Sequence, residues 1–233
     1  MIGSPHVHHR VTDSTNARAR ALAMAGAPHG TLVTADEQTA GRGRQGRSWT
    51  AAPGDALLFS LLVRDVEPGA ALLPLAAAVA VCESLGPVEA AIKWPNDVWI
   101  ERRKVAGILL EGRPQEGWAV IGIGLNVRTR EFPEELREKA TSLALAGVDT
   151  TVAEVRVALV AALDRWLTAR PGEVLEAWRA RDALRGEPVR WQSGSGTAAG
   201  ISESGSLIVD TDAGERVELD AGEVHLGTTE GGA

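Results

Sequence analysis

The chain has little cysteine and no long apolar run, and both absences limit where it can act. Cys82 is the only cysteine among 233 residues, so no disulfide can form within the chain and we expect a reducing compartment. Residues 1–10 are polar and histidine-rich, without the apolar centre of a signal peptide. No uninterrupted apolar run reaches the length that spans a bilayer. The sequence therefore predicts a soluble, cytoplasmic protein.

An excess of positive charge is also missing. Lysine and arginine total 24 against 31 aspartate and glutamate residues, which gives a formal net charge of −7. Proteins that bind nucleic acid in bulk present a basic face, so this balance argues against that function. Apolar residues make up 44% and charged residues 24% of the chain, a globular composition. The length fits one large domain, or one domain with a small second one.

The common motifs of nucleophilic and metal chemistry are absent from the sequence. There is no G-x-S-x-G nucleophile elbow and no P-loop. Cys82 lies in an apolar, alanine-rich stretch, which is typical of a small core residue rather than a nucleophile. His6, His8 and His9 fit no metal-ligand framework. These absences favour catalysis by positioning and charge neutralisation.

Hydrophobic periodicity and turn residues predict an α+β protein in two parts. We expect helices at 17–25, at 70–85 with Pro74 in the first turn, from 152 after a capping box, and from 171 to about 184. Strands are expected at 31–35, 56–63, 98–101, 105–111 and 118–127. After 185, short strand-like runs predict a small β unit, and 227–233 resembles a frayed tail. We therefore predict a first domain at 1–184 and a second at 185–233.

Residues 41–49, GRGRQGRSW, form the most unusual stretch. Glycine lets backbone N–H groups approach a ligand, and arginine presents paired donors that match phosphate or carboxylate oxygens. The loop therefore favours an anion-binding site over a merely solvated basic turn. Gly41, Gly43 and Gly46 also spell G-x-G-x-x-G, but 48–55 should form no helix, so a dinucleotide site is not expected.

Three further segments have both a structural and a functional reading. Residues 93–97, KWPND, contain the Pro-Asn-Asp sequence that is typical of turns, and spacing alone favours a turn over a functional site. Lys104 begins an apolar strand, where a solvent-facing lysine and a functional one are equally compatible with the pattern. Gly122 and Gly124 lie on one strand face together with Asn126, so this face either packs closely on another element or forms the floor of a flat pocket.

Taken together, these segments resemble the biotin–protein ligases. The matching motifs are residues 13–16 (DSTN), 38–49 (QTAGRGRQGRSW), 93–97 (KWPND), 104–109 (KVAGIL), 122–127 (GIGLNV) and 140–143 (ATSL). Their order and approximate spacing match as well, from residue 11 to the end of the chain. The resemblance implies an α+β catalytic domain with a mixed β-sheet and packed helices, plus a small C-terminal SH3-like β-barrel.

The same resemblance implies an ATP-dependent, two-step activity. Biotin would react with Mg-ATP to give biotinyl-5′-AMP, and a lysine of a biotin carboxyl carrier protein would then accept the biotinyl group. The implied catalytic residues are Lys104, Arg42, Arg44 and Asp97. The implied biotin-binding residues are Ser14, Thr15, Asn16, Gln38, Arg42, Gly43, Arg44, Lys104, Gly107 and Gly122. The implied nucleotide-binding residues are Arg44, Arg47, Trp49, Lys93, Asn96, Gly124 and Asn126. No protein ligand for a metal ion is implied.

Individual roles also follow from the resemblance. Lys104 would bridge the biotin carboxylate and the α-phosphate, and Asp97 would orient or deprotonate the incoming amine. Trp49 would shield the mixed anhydride from water. The first motif begins at Asp13, which leaves no room for the N-terminal helix-turn-helix domain of many bacterial relatives. We therefore expect a ligase without direct DNA binding.

Three other functions remain as alternatives. A lipoate–protein ligase or octanoyltransferase would share the catalytic fold, although the full arginine–glycine loop with its tryptophan disfavours both. A non-catalytic binding module could use the loop to hold an effector and the C-terminal unit to recruit a partner. A transcription regulator is disfavoured because the DNA-binding domain is missing. Monomer and homodimer are both compatible with the sequence.

Overall fold

A seven-stranded mixed sheet forms the centre of the protein. The structure is a computed structural model that describes residues 1–66, 72–220 and 224–227. The strands are β1 (His6–Thr12), β2 (Leu32–Gln38), β3 (Ala56–Arg64), β4 (Ala91–Lys93), β5 (Asp97–Ile100), β6 (Arg103–Arg113) and β7 (Trp118–Asn126). Their order is β1-β2-β3-β7-β6-β5-β4. β1 and β2 are parallel and the other neighbours are antiparallel, which makes the sheet mixed.

The described residues form four α-helices, which cover this sheet unequally. They are α1 (Thr15–Met24), α2 (Leu73–Ser84), α3 (Val152–Trp166) and α4 (Pro171–Arg179). α2 and α3 pack on the face that carries Leu57, Phe59, Leu61, Ile121 and Ile123, α4 packs on α2, and the three helices contribute to the main core. α1 packs on the opposite face, where Leu62 and Val120 form a smaller apolar cluster. The part of that opposite face that α1 does not cover forms the floor of a cleft.

The helix ends follow the capping signals in the sequence. Ser14 accepts a hydrogen bond from the backbone N–H of Ala17 and begins α1. Thr151 and Glu154 form the expected capping box of α3, and Pro74 lies in the first turn of α2. The predicted helix at 70–85 is described from residue 73, and its first two residues lie outside the described part. The final helix ends at Arg179, five residues before the predicted end.

The C-terminal part is a five-stranded antiparallel sheet. Its strands are β8 (Pro188–Trp191), β9 (Gly194–Ile201), β10 (Leu207–Thr211), β11 (Arg216–Leu219) and β12 (His225–Leu226), in the order β11-β10-β9-β8-β12. Among the described residues no ladder joins the two edge strands of this sheet. The expected tail lies almost wholly in 228–233, outside the described residues. Leu207, Val209 and Ala198 of this sheet belong to the main core, so the two parts share one apolar interior.

The predicted α+β class with a mixed sheet and a small C-terminal β unit is confirmed, whereas the boundary at residue 184 stays a prediction. Two strands of the central sheet, and the two-residue β12 of the C-terminal sheet, were not predicted. β1 has no fully buried side chain, and β4 has only three residues, so neither carries a hydrophobic pattern. The predicted hairpin after β5 turns at Glu101 and Arg102, whose φ angles of 49° and 61° suit a tight two-residue turn. Within the described residues, no helix is both long enough and apolar enough to cross a membrane.

Leu159 offers a test of the core. Its side chain is fully buried in the middle of α3. We expect Leu159→Ala to lower the free energy of unfolding by about 2–5 kcal/mol, because the deletion leaves a cavity that the packed core cannot close. Val157 lies on the exposed side of the same helix, so Val157→Ala should change it by less than about 0.5 kcal/mol. Urea unfolding followed by circular dichroism measures both; equal effects would contradict this assignment of the core.

Candidate functional site

A cleft lies on the sheet face that α1 leaves open, and its floor is almost free of side chains. Gly122 and Gly124 of β7 lie opposite Ser60 and Leu58 of β3, and Gly107 of β6 lies opposite Gly124. Residues directly opposite in a ladder point to the same face, so these positions form one strip. Other groups come close to the backbone there. A Cβ atom on Gly122 would lie 2.1 Å from Asn16 Oδ1. The alternation of glycines in the sequence therefore marks a real close approach.

A buried polar wall closes one end of this cleft. Thr15 and Asn16, in the first turn of α1, are each 4% exposed, and Ser60 is completely buried. The Ser60 hydroxyl lies 2.6 Å from Asn16 Oδ1 and 2.7 Å from Thr15 Oγ1. The backbone N–H of Thr15 donates to Gln38 Oε1 at 2.7 Å. Each of these groups is held by another, so the wall is a preorganised hydrogen-bonding surface.

The basic loop is a small hairpin over the cleft. Arg42 and Ser48 form an antiparallel bridge, and the N–H of Gly43 donates to the carbonyl of Arg47 at 2.7 Å. Gln45 and Gly46 make the turn with φ angles of 54° and 75°. A glycine at residue 46 satisfies this left-handed conformation without strain. As expected, no α-helix follows the glycines, which argues against a dinucleotide-binding site.

Two arginines of the loop reach partners elsewhere in the chain, one in the turn after β4 and one on β6. Arg44 Nη1 donates to Asn96 Oδ1 at 3.1 Å, and Asn96 in turn donates to the carbonyl of Ile108 at 2.8 Å. Arg42 Nη1 lies 3.7 Å from Glu111 Oε1 on β6. The side chain of Arg42 remains about half exposed, at 52%. These contacts direct two guanidinium groups to the cleft without burying their charge.

Lys104 is held at the cleft from two sides. Its Nζ lies 2.6 Å from Asp97 Oδ1, and the lysine and aspartate side chains are 31% and 18% exposed. Its backbone N–H donates to the carbonyl of Lys139, and its carbonyl accepts from the N–H of Thr141, both at 2.8 Å. The strand position and the ion pair together hold the ammonium group close to Gly107. A Cβ atom added to Gly107 would lie only 3.0 Å from Lys104 Nζ. Lys104 is therefore not a solvent-facing strand residue.

Trp49 lies across the glycine floor. A Cβ atom on Gly124 would lie 2.4 Å from Cε2 of the indole, and the ring also approaches Gly107. Lys104 Nζ lies 5.7 Å from the ring centroid. The indole Nε1 is buried and has no hydrogen-bond partner, which leaves one buried donor available to a ligand. A flat ligand resting directly on Gly124 would have to displace this ring.

A second, larger cleft adjoins the first. It is bordered by the segment 128–140 and by His225 and Leu226 of β12. The residues that line both clefts are Arg47, Ser48, Trp49, Lys93, Asp97 and Lys104. The Lys104–Asp97 pair thus lies where the two spaces meet. This position suits chemistry between groups that enter from different sides.

Residues 93–97 are both a turn and part of the site. The segment connects β4 to β5, so the turn expected from its sequence is present. Lys93, Asn96 and Asp97 nevertheless line the first cleft. Trp94 points the other way, is 2% exposed, and its Nε1 donates to the carbonyl of Gly205 in the C-terminal sheet at 3.0 Å. The indole therefore anchors this functional turn to the C-terminal part of the chain.

The structure brings nearly all of the sequence-predicted site residues together. The residues that line the first cleft are Ser14, Thr15, Asn16, Gln38, Arg42, Gly43, Arg44, Arg47, Trp49, Lys93, Asn96, Asp97, Lys104, Gly107, Gly122 and Gly124. Asn126 lines the second cleft instead, and its amide donates to the carbonyl of Thr141 at 3.0 Å. The amide of Asn126 thus holds the segment that braces Lys104. Individual roles of these residues stay predictions.

Three residues with contacts to the site were missed by the sequence analysis. Ser60 interrupts the apolar run 56–63, which was a visible signal for a buried polar role. Glu111 ends the apolar part of β6, and Arg20 lies one helical turn after Asn16, so both looked like ordinary surface charges. In the structure Glu111 accepts from Asn16 Nδ2 at 2.9 Å and from Arg20 Nη1 at 3.1 Å. Only the fold brings these side chains together.

Two other kinds of site, a cysteine nucleophile and a metal centre held by protein side chains, find no support among the described residues. Burial raises the pKa of the Cys82 thiol to about 12, so it stays protonated at neutral pH and is a poor nucleophile. Among the residues that the structure describes, no three His, Cys, Asp or Glu side chains form a group that could hold a metal ion. The cleft itself is lined by cations and hydrogen-bond donors that suit an anionic ligand.

Comparison with known proteins places this site in a family. The model of the biotin/lipoate A/B protein ligase family matches residues 8–127, and that of the biotin protein ligase C-terminal domain matches 186–227. The biotin–[acetyl-CoA-carboxylase] ligase of Mycobacterium tuberculosis is 38% identical, covering 92% of this chain and 86% of that protein. The bifunctional ligase/repressor BirA of Bacillus subtilis is 33% identical, covering 97% of this chain and 75% of that protein.

A solved structure agrees with the sequence relatives. The biotin protein ligase from Aquifex aeolicus, in complex with biotin and ATP, superimposes with a TM-score of 0.85 at 30% sequence identity. The match covers 96% of this chain and 100% of that one. The chain therefore belongs to the biotin protein ligases of the biotin/lipoate A/B protein ligase family.

Proposed function

We propose that this protein activates biotin with ATP to give biotinyl-5′-AMP, and then transfers biotin to a lysine of a biotin carboxyl carrier protein. The observation that carries the proposal is the meeting of Arg42, Arg44 and Lys104 at one glycine-floored cleft with a buried polar wall. The names of the relatives, which specify biotin and acetyl-CoA carboxylase, support the same substrates.

The polar wall suits the ring end of biotin. A ureido group has both N–H donors and a carbonyl acceptor, and Thr15, Asn16 and Gln38 offer matching side chains. Ser14 begins the helix that presents two of them. The apolar side chains of Leu58 and Leu109 line the same cleft and suit the remainder of a largely hydrocarbon ligand. Gly43 and Gly122 leave room for it beside the loop and the floor.

The first step brings two anions together. A carboxylate oxygen of biotin attacks the α-phosphorus of ATP, an O–P bond forms, and the bond to the pyrophosphate leaving group breaks. Lys104 would bridge the biotin carboxylate and the α-phosphate, and Arg42 and Arg44 would offset the remaining negative charge. Catalysis of this kind depends on charges fixed in place before the reaction, because mobile charges would cost reorganisation energy.

The second step moves the biotinyl group to a lysine amine. The amine attacks the acyl carbon, a C–N bond forms, and AMP leaves with the electrons of the C–O bond. Asp97 lies at the boundary with the second cleft, where a carrier lysine can enter, and its carboxylate can orient the amine and accept its proton. Trp49 covers the floor beside this point and limits the access of water to the mixed anhydride.

The nucleotide would occupy the region between the two clefts. Arg47 and Lys93 line both clefts and Asn96 lines the first. Their groups suit phosphate oxygens, and Gly124 and Asn126 would lie towards the ribose and adenine. Mg²⁺ would come with ATP, held by phosphate oxygens, since the described residues show no metal-binding cluster. When bound, the ion would neutralise part of the phosphate charge.

Partners and location follow from the same proposal. The carrier would be a carboxylase subunit, the protein would act in the cytoplasm as a monomer or homodimer, and direct DNA binding is not expected given the net charge of −7. A lipoate ligase is the second candidate, because the matching family includes lipoate ligases. The match to the biotin protein ligase C-terminal domain and the complete arginine–glycine loop favour biotin.

Intact mass spectrometry tests the proposal directly. The protein is incubated with ATP, Mg²⁺, biotin and a biotin carboxyl carrier domain, and we expect the carrier to gain the mass of one biotinyl group. Pyrophosphate exchange should be stimulated by biotin and not by lipoate. Exchange with lipoate alone would favour the second candidate, and no exchange with either ligand would rule out both ligases.

Lys104 provides the first mutational prediction. We expect Lys104→Ala to lower kcat for biotin-dependent pyrophosphate exchange by about 10²–10³-fold, the usual effect of removing one group that stabilises transition-state charge. Arg103→Ala is the matched control, because Arg103 is the adjacent cation on β6 and pairs with Glu101 away from the cleft. Similar rates for both variants would contradict the role of Lys104.

Asp97 provides the second mutational prediction. We expect Asp97→Asn to slow transfer from preformed biotinyl-5′-AMP to the carrier by about 10²-fold, because the amide accepts no proton. Transfer is measured by single-turnover quenched flow with isolated adenylate, so that any effect on Lys104 in the first step is bypassed. If transfer proceeds at the wild-type rate, Asp97 has no role in the second step.

A further inference from the structure

Glu111 occupies an unusual place for a surface acid. It belongs to the glycine-rich part of the sheet, lying on β6 two residues beyond Leu109, which lines the cleft. Its side chain is 22% exposed and three groups converge on it. Asn16 Nδ2 donates to Oε2 at 2.9 Å, Arg20 Nη1 donates to Oε1 at 3.1 Å, and Arg42 Nη1 lies 3.7 Å from Oε1. It thus contacts both the polar wall and the basic loop.

The carboxylate determines which way the amide of Asn16 faces. An ionised carboxylate only accepts hydrogen bonds, so it must face the NH₂ group of Asn16. The amide oxygen of Asn16 then faces Ser60, as observed. In the flipped orientation the amide oxygen would lie against a carboxylate oxygen at hydrogen-bond distance, which is repulsive. Asn16 is 4% exposed, so water offers little compensation for such a contact.

The orientation of Asn16 sets the direction of the next hydrogen bonds. Ser60 Oγ is within hydrogen-bond distance of both Asn16 Oδ1 and Thr15 Oγ1, but a hydroxyl carries a single proton. Because the amide oxygen only accepts, Ser60 must give its proton to Asn16. The Ser60 oxygen can then only accept from the Thr15 hydroxyl, whose oxygen also lies 3.1 Å from Gln38 Oε1. Ser60 and Gln38 therefore compete for the single Thr15 proton. A flipped amide would donate to Ser60, Ser60 would donate to Thr15, and the Thr15 proton would go to Gln38 alone.

We infer that Glu111 is a positioning residue that fixes the donor and acceptor pattern of the biotin pocket. Its charge locks the amide of Asn16, and through Ser60 it draws the Thr15 hydroxyl proton away from Gln38. The positive charges of Arg20 and Arg42 offset the desolvation free energy of a carboxylate held beside the pocket. The inference rests on the proposed function, because it assigns Thr15 and Asn16 to the recognition of biotin.

A reversal of donor and acceptor tests this inference. In Asn16→Asp two carboxylates would lie side by side, and we expect the KM for biotin to rise about a hundredfold from the loss of a hydrogen bond to a charged group. In Glu111→Gln the amide at 111 permits either orientation of Asn16, and we expect a rise of about tenfold. The double variant Asn16→Asp/Glu111→Gln restores one carboxylate facing one amide, with donor and acceptor exchanged.

The double variant should therefore recover much of the affinity. Independent effects would multiply to about a thousandfold, whereas we expect a rise of only about tenfold, since residues in direct contact are not additive. The KM for ATP should change by less than about threefold, because the contact lies at the ring end of the pocket. Glu116→Gln is the matched control: Glu116 is an exposed acid near the end of β6 that pairs with Arg113 at 2.7 Å, and its loss should not change the KM for biotin.

Biotin-dependent pyrophosphate exchange gives both KM values, and a thermal melt confirms that each variant is folded. A thousandfold rise in the double variant, or a KM in Glu111→Gln equal to that of the wild type, would overturn the inference. If Asn16→Asp does not fold, the comparison of Glu111→Gln with Glu116→Gln still tests the inference. Only Glu111→Gln should raise the KM for biotin. Wild-type protein without biotin-dependent exchange would instead contradict the proposed function.

Discussion

The strip of glycines at 107, 122 and 124 is the constraint on which the cleft depends. A side chain at 122 would collide with Asn16 and one at 124 with Trp49, and a side chain at 107 would press on the end of the Lys104 side chain. Glycine in a strand weakens a sheet because it has no side chain to pack. The opposite face of the same strands offsets this loss with Ile108, Ile121 and Ile123, which are buried under the helices.

A second constraint is that the three cations assigned to the first reaction step each lie against a partner side chain before any substrate binds. Lys104 is paired with Asp97, Arg44 is bonded to Asn96, and Arg42 lies near Glu111. The chain as a whole is acidic, so a local concentration of positive charge produces a strong contrast with the surrounding surface. The partners also direct long, flexible side chains that would otherwise lose entropy when they bind an anion.

The sequence predicts the local parts of this architecture better than the long-range ones. Caps and apolar runs are local, and for this reason α1, α3 and β3 were predicted close to their true bounds. The edge strand β1 was missed because it pairs with a strand on one side only and its side chains show no alternation of apolar and polar residues. The motifs indicated the loop, Lys104 and the glycines. Spacing alone favoured a turn for 93–97, and the structure shows that a turn can also present Asn96 and Asp97 to a cleft.

What the sequence does not contain is the distance between residues far apart along the chain. Asn16 and Glu111 are separated by 95 positions, and each is unremarkable in its own segment. Their contact depends on the register of β6 and on the height of α1 above the sheet, and neither can be calculated from local patterns. Ser60 is different, since a hydroxyl in the middle of an apolar strand is a signal that can be read directly.

The bond from the indole of Trp94 to Gly205 has a practical meaning for protein engineering. Trp94 lies next to the turn that carries Asn96 and Asp97, yet its N–H is satisfied by the C-terminal sheet, and Arg102 pairs with Glu187 nearby. Ile92 and residues 181–183 also exchange backbone hydrogen bonds. A chimera joined near residue 185 would therefore place a foreign surface directly behind the reaction centre. Exchange of this sheet between relatives therefore requires that the incoming chain offer a backbone carbonyl to the indole N–H where Gly205 does so now.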